Sequence, residues 1–156
     1  MVIVNAVVSG CDRNTGEEVS LAPAQQIPTF RPDADWPKVP AQWRLGEVSS
    51  IGIDAQDNAW LLHRPWTIDP DEAHLAAPQV LGFDSDGRFL DAWGGPGDGY
   101  EWPAREHGLH IDHHGFVWLG GNSCPANSEP GLEPAADDQI LKFTLDGEFV
   151  MQIGRS

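Results

Sequence analysis

The chain of 156 residues is 40% hydrophobic and 21% charged, and its 13 Pro and 17 Gly favour a loop-rich β protein over a helical one. A formal charge of −15 argues against nucleic acid as a partner, because phosphates would be repelled and no Lys/Arg stripe is present to release counterions. No stretch reaches the ~18 apolar residues of a membrane span.

The first eleven residues end in Val8-Ser9-Gly10-Cys11, a pattern at which bacterial lipoprotein signals are cleaved and the Cys is lipidated. Without a basic n-region they read either as a truncated lipoprotein signal or as a short apolar segment. The first reading places the protein outside the cytoplasm: secreted, periplasmic or lipid-anchored. Cys11 and Cys124 are the only cysteines and form no CxxC, so they either pair with each other or stay apart. Residues 12–44 carry Pro23, Pro28, Pro32, Pro37 and Pro40, a density that denies helix and central strand. They read as an extended lead-in, with Phe30, Trp36 and Trp43 as anchors, or as a disordered leader.

Glu47–Asp54 alternates apolar and small residues, Ala55-Gln56-Asp57-Asn58 supplies a turn, and Ala59–Arg64 alternates again, which predicts a hairpin. Pro65–Gln79 holds three prolines and three acidic residues and reads as a loop. Val80–Phe83 and Arg88–Trp93 flank Asp86-Gly87, where Gly supplies the positive φ of a tight turn. Asp84-Ser85-Asp86-Gly87 begins like a calcium-binding loop, but Gly95 stands where that loop needs a bidentate Glu. Gly94–Gly99 has no following Lys-Ser/Thr and reads as a connection, not a phosphate cradle.

From there the chain repeats. Ile53, Asp54 and Trp60 match Ile111, Asp112 and Trp118 at one offset (112 − 54 = 58), and Phe83, Asp86, Gly87 and Phe89 match Phe143, Asp146, Gly147 and Phe149 at another (143 − 83 = 60). Two copies of a four-stranded antiparallel unit, residues 45–99 and 100–156, predict an all-β partial propeller of two blades. Two blades do not close, so the sequence reads as a portion of a longer propeller or as a unit that self-associates through its open blade faces.

The repeats resemble NHL-type six-bladed propellers, and within that group the catalytic core of the peptidyl-hydroxyglycine α-amidating lyases. The resemblance covers about Leu45–Gly154. It implies that Arg64, in its His63-Arg64 pair, is a catalytic arginine and that His107, in His107-Gly108-Leu109, is a zinc ligand. It also implies that the carbonyls of Ile51 and Leu109 hold a calcium. Zinc would polarise a hydroxyl, and an always-charged Arg would stabilise oxyanion charge. Three departures stand against it. Ser49 occupies the first unit's equivalent of His107, Pro65-Trp66 replaces an acidic residue, and the other metal ligands and a tyrosine come from later blades.

Other readings of the same residues remain. His107 reads equally as a rim histidine bonded to a carbonyl, and Arg64 as a strand-end residue paired with Asp57 or Asp69. His110 shares a strand face with Asp112, while His113 and His114 fall in a turn. The tryptophans read mainly as packing residues, although Trp66 and Trp102, in loops, would suit a carbohydrate platform. No Gly-x-Ser-x-Gly is present. The sequence thus predicts a ligand-facing end with His63, His110, Trp66 and Trp102. It would serve a binding or scaffold module for a peptide, glycan or protein, or alternatively a zinc- and calcium-dependent lyase.

Overall fold

The computed structural model describes residues 27–123 and 137–155. The apolar N-terminal segment, Cys11, Cys124 and most of the second acidic loop lie outside the described residues. The chain divides between Pro32 and Asp33. On the N-terminal side, Ile27–Pro32 is without regular structure, and Phe30, expected as an anchor, is 87% exposed.

Beyond Asp33 the protein is all-β. Strands β1 (Glu47–Ile53), β2 (Ala59–Arg64), β3 (Val80–Phe83) and β4 (Phe89–Trp93) form one antiparallel sheet in sequential order. Strands β5 (Glu106–Ile111), β6 (Val117–Gly121), β7 (Ile140–Phe143) and β8 (Phe149–Ile153) form a second. The arrangement is two open four-stranded blades, not a closed propeller. Even the irregularities repeat: ladder shifts at Val48/Ser50 and Gly82/Phe83 recur at Glu106/Gly108 and Lys142/Phe143.

The turns explain the spacing. Asp54 closes the β1–β2 turn, one carboxylate oxygen accepting the N–H groups of Gln56 and Asn58 at 2.9 Å and the other accepting the Trp60 indole at 3.0 Å. Asp112 repeats this with His114, Phe116 and the Trp118 indole. Such side-chain-to-backbone bonds are why Asp favours these turns. The β3–β4 and β7–β8 turns place Gly87 and Gly147 at φ of 76° and 81°. Pro65–Gln79 differs from the expected plain loop, since Pro65–Thr67 and Pro70–Leu75 wind into 3₁₀ segments. Proline at the first positions suits helix entry, and Asp69 caps the second segment by accepting the Asp71 N–H at 3.0 Å.

The two sheets stack face on face. Trp60, Leu62 and Val80 of the first blade pack with Leu109, Val117, Leu119, Leu141 and Phe143 of the second. Gly52 permits this contact, because a Cβ there would stand 2.5 Å from Leu109 Cδ2. Ser50 Oγ stitches the innermost strands, accepting the Leu109 N–H at 3.1 Å. Each fully buried Leu, Val or Phe contributes about 1.5–3 kcal/mol, which makes this stack the main stabilising contact between blades.

The opposite side of the first blade, with Leu61, Leu81 and Phe83, is covered by Trp36, Val39, Trp43 and Leu45. The lead-in therefore folds from Asp33 onward. It also copies the connection between blades. Trp36 lies against Gly87 and Phe83 as Trp93 lies against Gly147 and Phe143. Trp43 meets Phe89 as Tyr100 meets Phe149. The spacings agree (93 − 36 = 57 and 100 − 43 = 57). Residues 36–45 are thus a partial third repeat.

Candidate functional site

The two residues set apart by the resemblance meet. Arg64 ends β2, and His107 is the second residue of β5. Arg64 Nε donates to the Glu106 carbonyl at 2.8 Å, and its Nη2 stands 3.4 Å from His107 Nδ1. Its ion partner is Glu47, at 3.4 Å, and not the Asp57 or Asp69 considered from sequence. The guanidinium carbon lies 6.0 Å from the Trp66 ring centroid. The Arg64 side chain is only 13% exposed while Glu47 is 69% exposed, so the anchored half of this pair is the cation.

Beneath it sits Glu106, which sequence reasoning missed. Successive strand residues point to opposite sides, so with His107 exposed Glu106 turns inward and is 3% exposed. Its carboxylate accepts the Trp102 indole at 3.0 Å and the Trp66 indole at 3.2 Å. Burial pushes its pKa above the usual Glu value, the two indole bonds oppose that, and the Asp137 charge adds to it. Asp137 is itself fixed by the N–H groups of Ala104, Arg105 and Ser123 at 2.8–2.9 Å. The available signal for Glu106 was its place in the repeat, since it stands where the first blade has Val48 (106 − 58 = 48).

Trp66 and Trp102 are therefore indole donors to a buried carboxylate, both partly buried. His63 is a correction. Expected at the ligand-facing end, it is fully buried, with Nδ1 accepting the Gly46 N–H at 3.1 Å and Nε2 lying 3.0 Å from the Pro78 carbonyl. The ring is thus the Nε2–H tautomer, and burial lowers its pKa, which keeps it neutral. It ties Gly46 to Pro78, beyond the second 3₁₀ segment. His110 is exposed, but on the outer sheet face across from Trp118, away from Arg64.

The metals implied by the resemblance are not assembled by these side chains. A catalytic zinc takes about three protein ligands. Among the described residues no group of three His, Cys, Asp or Glu converges. The His107 nitrogen nearest Arg64 faces a cation, and the Asp137 carboxylate is committed to backbone donors. Ile51 and Leu109 do occupy equivalent places on β1 and β5, and Ser50 Oγ lies 3.4 Å from the Leu109 carbonyl. Two carbonyls fall well short of the roughly six to eight oxygens of a calcium. What the rim offers is one anchored cation, one exposed imidazole and a cleft of about 370 Å³ bounded by His107, Gly120, Asp137 and Gln139.

No protein-family model matches this chain, and no curated protein matches it significantly. Among the described residues no helix is long and apolar enough to cross a membrane.

Proposed function

We propose that these blades belong to an extracytoplasmic binding module whose rim at Arg64 and His107 engages a peptide, glycan or protein ligand. The observation behind it is the meeting of Arg64 and His107, 43 positions apart and from different blades, at 3.4 Å. The Glu106 carbonyl fixes the guanidinium, so its donors are held in place before a ligand arrives, which lowers the entropic cost of binding. The extracytoplasmic setting rests on Val8–Cys11. Peptide and glycan arrays probed with the whole chain test this reading. Arg64→Ala and His107→Ala should each abolish the captured signal while the melting profile stays near that of the parent. Capture that survives both substitutions would sink the proposal.

The same meeting favours a second reading, a lyase resembling the hydroxyglycine-cleaving enzymes, with ligands supplied beyond the described residues. Here the chain's own Arg64 would face developing oxyanion charge and His107 would hold the metal. Zinc titration decides it: one bound zinc per chain, lost in His107→Ala and kept in Arg64→Ala, supports the lyase. No zinc uptake removes it.

A further inference from the structure

The two blades hold the entry to their first strands with different chemistry. In the first, the Gly46 N–H donates to His63 Nδ1 at 3.1 Å, and the ring is fixed from behind by Nε2 on the Pro78 carbonyl at 3.0 Å. In the second, Ala104 stands at the place of Gly46 (104 − 58 = 46), and its N–H donates to Asp137 Oδ1 at 2.8 Å. Gly121 stands at the place of His63 (121 − 58 = 63), and the Asp137 carboxylate lies where a side chain there would begin, since a Cβ on Gly121 would stand 2.5 Å from Asp137 Cγ. One task is thus done by an imidazole, which titrates near neutrality, and one blade later by a carboxylate.

What His63 holds reaches the rim. Gly46 is pressed onto the Arg64–Thr67 turn, where a Cβ would run into the Arg64 carbonyl. The next residue, Glu47, donates its N–H to Thr67 Oγ1 at 2.8 Å, and that hydroxyl donates to the Arg64 carbonyl at 2.8 Å. The Glu47 carboxylate in turn pairs with the Arg64 guanidinium at 3.4 Å. Two fixed points bound this span: the Arg44–Ala76 bridge before it, and the ladder that resumes at Ser50 after its shift.

We propose that His63 is an acid-sensitive latch: on taking a proton it releases Gly46 and Glu47 from the Arg64–Thr67 turn, and Arg64 loses its ion partner. The cause is a change of role at one nitrogen. A protonated imidazole carries N–H on both nitrogens, so Nδ1 would meet the Gly46 N–H donor to donor, in a place where the ring is 0% exposed. Among the described residues the ring bonds backbone groups only. The charged residues around it are engaged elsewhere or exposed. Arg44 pairs with Glu72 and Arg64 with Glu47, Glu106 and His107 of β5 meet the Arg64 side chain, and Asp69, Asp71 and His74 of the covering segment are exposed. Burial lowers the pKa of the ring, against the opposing pull of the Pro78 and Ala77 carbonyls. The closed latch is therefore fully stable above the ordinary imidazole value of 6.5 and loses stability as pH falls below it toward the lowered value. The latch is independent of what the rim binds.

The test is hydrogen exchange on the whole chain, read at single amides by NMR from about pH 7.5 down to about pH 5.5, with the intrinsic pH dependence divided out. Protection of the Gly46 and Glu47 amides should fall about tenfold over that range, because the open form takes up a proton that the closed form excludes. Protection of the Ala104 amide, held by Asp137, should change by less than about twofold. His63→Gln supplies a side-chain acceptor that does not titrate, and should make Gly46 and Glu47 as insensitive to pH as Ala104. An equal fall at Gly46 and Ala104 would overturn the proposal, since it reports loosening of both blades together and not of a latch. Full protection of Gly46 at the acid end would overturn it as well, as would a His63→Gln chain that keeps the parent's fall. The parent amides alone decide the matter if that variant does not fold.

Discussion

The two blades share strand order, turn chemistry and even ladder shifts, yet they do different work. The first is covered by its neighbour on one side and, over its outer strands, by the lead-in tryptophans on the other, and besides the turn residue Asp54 it buries a neutral histidine, His63. The second is covered on one side, and along with Gln139 it buries a carboxylate, Glu106. Glu106 stands where the first blade has the exposed Val48, and it is buried there, holding two indoles and presenting its carbonyl to Arg64. A repeat thus fixes geometry, and single departures from it place the chemistry.

The largest effect expected is in the shared stack. Phe143→Ala removes a ring that contacts Trp93, Tyr100, Trp102 and Phe149, and should cost about 3–5 kcal/mol in a urea titration. Phe83→Ala removes a ring touching Trp36 and Phe89, and should cost less. The reverse order would mean that the lead-in, and not the second blade, is the tighter cover.

Next comes the equivalence of Trp36 and Trp93. A Cβ on Gly87 would stand 2.7 Å from Trp36 and one on Gly147 2.6 Å from Trp93, both at positive φ. Gly87→Ala and Gly147→Ala should therefore each cost about 1–3 kcal/mol, by similar amounts. A loss at Gly147 alone would show that Trp36 does not hold a blade-like position.

Glu106→Gln sharpens the contrast between the buried acid and the buried imidazole. A carboxyl whose pKa is raised on folding adds stability below its ordinary value, 4.5, and that stability is lost as pH rises through the raised value. The parent should therefore lose stability across that window, and Glu106→Gln should flatten the loss. Thermal melts at stepped pH measure it, and an unchanged slope would mean that the carboxyl is not held as the structure shows.

Much of this fold was legible because it was written twice. Ile53 with Ile111 and Asp54 with Asp112 align at one offset and Gly87 with Gly147 at another only two residues longer, and turn residues need no distant partner to declare themselves. The lead-in was harder. Trp36, Trp43 and Leu45 repeat Trp93, Tyr100 and Trp102 at a third spacing, 57, but prolines and a missing strand hide the match. The rim was half legible. Arg64 and His107 stood out by resemblance, and their meeting depends on how the blades stack, which no local pattern carries. His63 misled, because adjacency to Arg64 along a strand puts it on the opposite side. Glu106 hid in an apolar slot where only a residue-by-residue comparison of the repeats exposes it.

The smallest effect expected concerns the outer turns. In the first blade Asp84 accepts the N–H groups of Asp86 and Arg88 at 3.0 and 2.8 Å, and Arg88 Nη1 pairs with Asp84 and Asp86 at 3.3 and 2.9 Å. In the second blade Thr144 and Glu148 hold the same places, and one side-chain bond, from the Glu148 N–H to Thr144 Oγ1 at 3.0 Å, joins the backbone bonds of the turn. The same backbone forms with and without the ion pairs, so the backbone bonds and the glycine set this turn. Arg88 is 67% exposed, and solvent screens such pairs. Arg88→Ala should therefore leave the urea midpoint nearly where it was, in low salt as in high. A drop that appears at low salt and vanishes at high salt would give the ion pairs a share in the turn that the second blade does without.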